Sequence, residues 1–477
     1  MNKETRIQKI QEIISRDEKN PFGKMEIPWN DTLVPKNVYQ IPLEYLVYNK
    51  YNGRILSRTQ SLERQNYIID VESEEGKKKI EELLFESNET RNKTTQTSLN
   101  DYGQQKVGII TKDGIIIDGN RRAMLLNRGK KYDYFKAVVL DVTLDENPLE
   151  IEKLETTYQM GEDEKVGYNA TEKYIKSKLL YKKLTQQNYS SNIEKHEPNK
   201  AAIAKIAKWM GEDPSEIVKY LNTMEVMDEY LEFLEYDGFY TQLDKREDQF
   251  LNLTKWLNTY YGEASKKGFD GYGDDDVDEL KAIAFDYIRA KYEGKEFRIL
   301  AEGQRPNHFF GDKEIWRSFA KFHNDRLKNI QEVEIDYTSQ NLNKHLDARD
   351  SAFFESTKLD GKTSFLEENI RIHEEKLGYN RASDEPQKLV SKALDALNAI
   401  KTGHKSFANK DVQKQVEALS NKVFGMLLQK STTKTLSHII GLLESLDLKN
   451  VTEAEQEEIH EKAKKIQQLG YQITKRF

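Results

Sequence analysis

The chain has 477 residues, of which 37% are hydrophobic and 32% charged, and its formal net charge at pH 7 is -7. Length suggests about three domains, and a mixed, mildly acidic charge excludes a protein that coats nucleic acid through a uniformly basic surface. Cysteine is absent, which excludes disulfides, thiolate metal sites and cysteine nucleophiles.

The opening MNKETRIQKIQEIISRDEK is polar and amphipathic and predicts a helix over 4–17. It lacks the apolar stretch of a secretory signal, and no later run reaches membrane-spanning length, so a cytoplasmic location without a membrane partner is expected. Turns at NPFG and IPWN lead into YQIPLEYLVYNKYNGRILS (39–57). There Ile41, Leu43, Leu46 and Val47 predict a strand and a short helical turn, and NGR (52–54) a loop. A charged helix is expected over 74–90 and a polar, flexible stretch over 91–105. The strand VGIIT (107–111), a KDG turn, the strand IIID, a helix over 120–128 and a strand over 134–142 complete an α/β unit.

Within that unit the stretch GIIIDGNRRAML (114–125) carries chemistry. Ile115, Ile116 and Ile117 read as a buried strand, Gly119 as the turn, and Arg121 with Arg122 as the opening of a helix that Gly129 closes. The helix macrodipole disfavours cations at that end unless an anion sits nearby. Free backbone N–H groups and guanidinium forks together grip phosphate oxygens, so Gly119, Asn120, Arg121 and Arg122 read as a phosphate cradle. The alternative is a solvated helix start whose arginines pair with surface carboxylates.

Downstream the pattern turns helical. Two amphipathic helices are expected over 149–184, broken near GEDEKVGYN (161–169), and residues 199–224 read as helix, turn, helix. Ala202, Ile203, Ile206, Ala207 and Met210 form one apolar face and Ile217, Val218 and Leu221 another, while Gly211 ends the first helix and Pro214 starts the second. This is a helix-turn-helix signature. Ser215, Lys219, Tyr220 and Asn222 are the candidates for reading double-stranded DNA, with Lys200, Lys205 and Lys208 for its phosphates. Against them stand the acidic run 225–238 and the alternative of a structural or protein-interaction module. The acidic GFDGYGDDDVDELKAI (268–283) reads as a solvated helix start rather than a calcium loop, and His308 between aromatic neighbours as packing. From 351 onward a helical bundle is expected, with Leu389, Leu394 and Leu397 in its core and a homodimer as a further use of such stripes. The expected class is α+β. An N-terminal extension (1–35) leads to a small α/β domain (36–148), a helix-turn-helix domain (149–235), a helical middle region (236–350) and the C-terminal bundle (351–477).

In order and spacing, residues 39–235 resemble the ParB/sulfiredoxin-fold superfamily, specifically ParB-like proteins that join this fold to a helix-turn-helix. IIIDGNRRAMLLNRG (115–129) stands where that family has a strand ending in Gly-Glu-Arg-Arg, and VYNKYNGRILSR (47–58) matches its arginine-bearing loop. LETTYQMGEDEKVGYNATEKY (154–174) aligns with its third motif through Tyr158 and Gln159. The Asp-Gly-x-x-Arg form, Asp118 to Arg122, is similar to relatives in phosphorothioate-DNA modification and phage-defence systems. The resemblance implies a nucleoside triphosphate (CTP, ATP or GTP) held by Gly119, Asn120, Arg121 and Arg122 together with Arg54. It also implies Mg2+. The family's metal-holding Glu and Asn fall at Thr156 and Thr157, which leaves Thr157 and Glu155 as candidate ligands. The function implied is a nucleotide-dependent, DNA-associated switch in partition, transcriptional control or phage defence, with slow hydrolysis as its reset. The competing class is an NTPase or small-molecule kinase, with Asp118 or Glu44 as the base. Sulfiredoxin chemistry needs a cysteine and is set aside.

Overall fold

Asn30 and Asp31 both hold positive φ, 50° and 61°, the backbone a two-residue hairpin turn of the primed type demands. They join β1 (Gly23–Trp29) to β2 (Thr32–Pro42), with Trp29 paired to Thr32. This structure, a computed structural model, describes residues 1–160, 169–191, 198–262, 265–337, 341–359, 361–382, 385–428, 431–446, 448 and 451–477. The remaining sheet strands are β3 (Gly108–Ile110), β4 (Ile116–Asp118) and β5 (Tyr134–Val139). Their spatial order is β1-β2-β5-β3-β4, with β3 parallel to β5 and the other pairs antiparallel.

The sheet is covered on both faces at its β3–β4 side, which is why those two strands read as continuous apolar runs. Side chains alternate between faces along a strand, so Ile110 and Ile116 join one core and Ile109 and Ile117 the other. The first core is closed by α1 (Lys3–Asp17), α3 (Glu74–Glu86) and α5 (Asn120–Gly129) through Ile10, Ile80, Leu84 and Met124. On the second face α6 (Pro148–Met160) packs through Ile151 and Leu154.

Between β2 and β3 run α2 (Leu56–Arg64), α3 and α4 (Glu89–Tyr102). The last of these replaces the flexible stretch expected over 91–105. Asn88 caps it by accepting from the Arg91 N–H, and the buried Asn92 amide donates to the carbonyls of Leu84 and Phe85 that end α3. Its core contacts are mostly polar, so the sequence shows no apolar period.

The other helices of this part form one body. They are α7 (Ala170–Thr185), α8 (Lys200–Met210), α9 (Pro214–Phe233), α10 (Glu247–Tyr260), α11 (Asp274–Arg289), α12 (Gly294–Arg298), α13 (Lys313–Leu327), α14 (Leu342–Ser356) and α15 (Phe365–Arg381). Two short strands, β6 (Lys358–Leu359) and β7 (Thr363–Ser364), pair just before the last helix. Ile217, Leu221, Met224, Met227 and Tyr230 of α9 belong to a core shared with α10, α11, α13 and α15. The acidic run before α11 is a helix start, its Gly273 N–H donating to Asp276, and His308 is packing, its imidazole pushed down to about 4 by burial.

Residues Met1–Asp384 form one compact unit, and Glu385–Phe477 a second. The boundaries expected at 148, 235 and 350 all fall inside the first unit, and across the last two the core is continuous, Phe365, Leu366 and Leu377 from beyond 350 completing the same cluster as Ile217 and Phe250. The second unit holds α16 (Pro386–Ala399), α17 (Lys410–Leu428), α18 (Thr432–Glu444) and α19 (Glu453–Thr474). Leu394 and Leu397, expected in a bundle core, are 57% and 41% exposed, and none of this unit's described residues is buried. The architecture is α+β, and no helix among the described residues is long and apolar enough to cross a membrane. Most of the helix break expected at 161–169 lies outside the described residues; Asn169 within it caps α7.

Candidate functional site

Gly119 ends β4 and caps α5 with φ 107°, in the left-handed region that favours glycine. A Cβ there would come within 2.6 Å of the Phe135 ring, so the turn admits no larger residue in this backbone. The next side chain, Asn120, is buried and braces two segments. Its Oδ1 accepts from the Asn49 N–H at 2.9 Å and its amide donates to the Ile116 carbonyl at 3.0 Å. That brace holds the loop 49–55 against the β4–α5 turn and leaves the Asn120 side chain committed to the backbone rather than to a ligand.

The two arginines part company. Arg122 turns to Asp118, donating to Oδ2 at 2.7 Å, with the Val107 carbonyl at 3.4 Å, so the carboxylate-pairing alternative describes this residue. Arg121 is half-buried and donates from Nε to Asn92 Oδ1 and from Nη2 to Thr95 Oγ1 at 3.4 Å, both neutral groups on α4. It makes no ion pair with a described residue. Burial first, then the neighbouring charges of Arg54 and Arg91, pull its guanidinium down to about 10. Arg54 comes from the loop before α2, its N–H donating to Asn52 Oδ1 at 3.2 Å, and Arg91 from the first turn of α4. Three segments thus converge cations beside the N-terminus of α5.

The sequence reading named Arg54 and Arg121 for this place and missed Arg91, Asn92 and Thr95. The clue to α4 was the capping asparagine at 88, three residues before Arg91.

The proposed metal ligands go elsewhere. Glu155 is buried 3.8 Å from the Lys176 ammonium, which also pairs with Glu152, while Lys183 reaches Glu152 at 3.0 Å. The carboxylate of Glu155 therefore balances a buried lysine. Thr156 donates to the Glu152 carbonyl at 2.7 Å and Thr157 is half-buried. Tyr158 packs on the sheet and donates to the Glu26 carbonyl, and the side chain of Gln159 lies outside the described residues. Among the described residues no group of three or more His, Asp or Glu could hold an ion. Among the described residues, Glu155 and Thr157 do not come together with further carboxylates as a resident Mg2+ site. Of the two candidate bases, Asp118 is paired to Arg122, and Glu44 is exposed on the short turn after β2.

Of the candidate DNA-reading side chains, Ser215 and Lys219 are exposed in the first turns of α9, Lys219 pairing with Glu216 at 3.2 Å. Tyr220 is buried against Tyr174 and donates to Glu212 at 3.0 Å, and Asn222 accepts from the Tyr189 hydroxyl at 2.5 Å. These two spend their polar atoms within the helical body.

Arg54 is also tied to that body through the start of α2. Ser57, three residues on, donates its N–H at 3.1 Å and its hydroxyl at 2.6 Å to the buried carboxyl of Glu172 on α7. A side chain of α7 thereby caps the helix that begins just after the arginine. Compared with known proteins, the chain matches no family model, no curated protein and no solved structure.

Proposed function

We propose that the first unit binds a nucleoside triphosphate at the N-terminus of α5, through Arg54, Arg91 and Arg121, and that binding acts on the helical body as a switch. The observation that carries this reading is the environment of Arg121: a half-buried guanidinium, facing two further arginines and two neutral acceptors, with no ion pair to a described residue. Gathering like charges costs free energy unless an anion offsets it. A polyphosphate carries enough charge to offset several cations and accepts forked hydrogen bonds from each. The capping of α2 by Glu172 supports transmission, because a ligand that moves the Arg54 loop moves the first turn of a helix seated on α7.

DNA contact, on this reading, goes to phosphates through exposed Lys200, Lys205, Lys208 and Lys219, without base reading by Tyr220 or Asn222. Kinase chemistry is less favoured on this reading, since Asp118, the candidate base beside the cradle among the described residues, is paired to Arg122. Any Mg2+ arrives with the nucleotide, and no step is assigned to it.

The test is calorimetric titration with CTP, ATP and GTP, with and without Mg2+. Wild type binds one of them, and Arg121→Ala loses about 1.5–3 kcal/mol, roughly ten- to a hundredfold in affinity. Arg91→Ala weakens binding as well, a result the DGNRR stretch alone does not anticipate. A folded wild type that binds none of the three ends the proposal.

A further inference from the structure

The helical body carries a second polar constellation, where α13 meets α15. Ser318 of α13 is half-buried, and opposite it α15 presents His373 and Lys376, three residues apart and so on one helix face. Ser318 Oγ lies 2.9 Å from His373 Nε2 and 2.9 Å from Lys376 Nζ, with Nζ also 3.3 Å from Nε2. The other imidazole nitrogen, Nδ1, is 2.8 Å from the Asn369 carbonyl, one turn earlier on α15.

That carbonyl decides where the imidazole holds its proton. A carbonyl oxygen only accepts, so Nδ1 carries the N–H, and in a neutral ring Nε2 keeps a bare lone pair. Burial, with the Lys376 charge adding to it, holds the imidazole below its ordinary 6.5 against the opposing pull of the Asn369 carbonyl, so the ring is neutral at pH 7. The Ser318 hydroxyl therefore donates to Nε2, while the Lys376 ammonium donates to Oγ. The ring is also held in place. His373 is 1% exposed and stands edge-on to the rings of Phe319, at 5.5 Å, and Phe309, at 6.1 Å. Beside it the Asn369 amide donates to the Phe319 carbonyl at 3.2 Å and ties the two helices together. Lys376 is exposed, so the constellation opens to solvent.

Bridging two helices takes one hydrogen bond; this hydroxyl has a base on its proton and a cation on its oxygen. We infer that Ser318 is an activated nucleophile that accepts an acyl group from an activated ester or thioester, with His373 as its general base. Oγ bonds to the carbonyl carbon and its proton passes to Nε2. The donor's alcohol or thiol then leaves with that proton, and Ser318 remains as an ester. Lys376 stabilises the charge that grows on Oγ as the proton departs. An acyl donor suits this setting, because addition to a carbonyl develops one negative charge, whereas phosphoryl transfer spreads charge over three oxygens and calls for several cations.

Full-length protein is treated with a fluorophosphonate probe and, separately, with p-nitrophenyl acetate, and peptide mass spectrometry places the adduct. Both reagents modify Ser318. Ser318→Ala removes the adduct with an unchanged urea midpoint, and His373→Gln slows labelling by about a hundredfold or more, the scale of lost general-base help. Lys376→Met, a surface change that spares the core, also slows it. A folded wild type unmodified at Ser318 overturns the inference. So does labelling as fast in Lys376→Met, or in a folded His373→Gln, as in wild type, which reflects exposure alone. Phosphonylation without acetylation rejects the acyl donor.

Discussion

Asp350→Ala is expected to lower the unfolding free energy of the first unit by about 3–5 kcal/mol, the cost of leaving buried charge uncompensated. Asp350 sits at the centre of the helical body. Its Oδ1 accepts from Arg289 Nε at 2.9 Å and the Tyr236 hydroxyl at 2.8 Å, and its Oδ2 from Arg246 Nη2 at 3.1 Å. Arg246 also donates to the Tyr230 hydroxyl, and Arg289 to both oxygens of Glu332. Asp350, Arg246 and Arg289 are all buried. Without the carboxylate, Arg246 has no ion pair among the described residues and Arg289 keeps only the half-exposed Glu332. Urea unfolding reads the effect as a shift in midpoint, and added salt does little to it because the pair lies away from solvent ions. A loss below about 1 kcal/mol, the level of a surface pair, would mean that water reaches the site.

The second large effect is in pH. Burial, with Asp244 adding to it, raises the Glu172 carboxyl to about 7 against the opposing pull of the Ser57 hydrogen bonds and Arg58. In the unfolded chain the same group titrates near its ordinary 4.5. Between these values the folded protein keeps a proton that the unfolded chain has released. Stability contributed by this group therefore falls as pH rises from about 4.5 through about 7, by roughly 3 kcal/mol over the window. Glu172→Gln keeps an oxygen for the Ser57 N–H and removes the titration. Denaturant midpoints of wild type drop between pH 5 and pH 8 relative to those of the variant. Parallel pH profiles would assign the proton to another group.

The features legible in the sequence obey physical rules that act locally. Continuous β-branched runs at 109–110 and 115–117, a glycine at 119 and the helix after it needed no distant contact to be read, and all are found. The first strand escaped because Pro28 and the charged Lys24 and Glu26 break its apolar pattern, and because Asn30–Asp31 is a rarer hairpin turn than Asn-Gly. The helix over Glu89–Tyr102 escaped because Asn92, fully buried, earns its place by hydrogen bonds. With it went half of the cation site. The role of each arginine was not local either: Arg122 and Arg121 are adjacent in sequence, yet one meets Asp118 and the other α4. The helix from Pro214 was legible at its start. Its run on to Phe233 was not, because Glu225, Asp228, Glu229 and Glu232 mask the buried Val226, Met227, Tyr230 and Leu231.

The nine residues of α2 carry a consequence for how the chain is made. They precede three strands of the sheet, yet Leu56 belongs to the helical core, Ser61 accepts from the Thr241 N–H at 3.3 Å, and Arg64 donates to the Asp237 carbonyl at 3.0 Å. On a ribosome adding about 5–20 residues per second, the seat for α2 emerges roughly 180 residues and some 10–35 s after α2 itself. Until then the sheet is complete in sequence but one of its insertions has nowhere to go. A nascent chain paused near residue 150 would display Leu56 to chaperones, and a stop there would leave a fragment that cannot close.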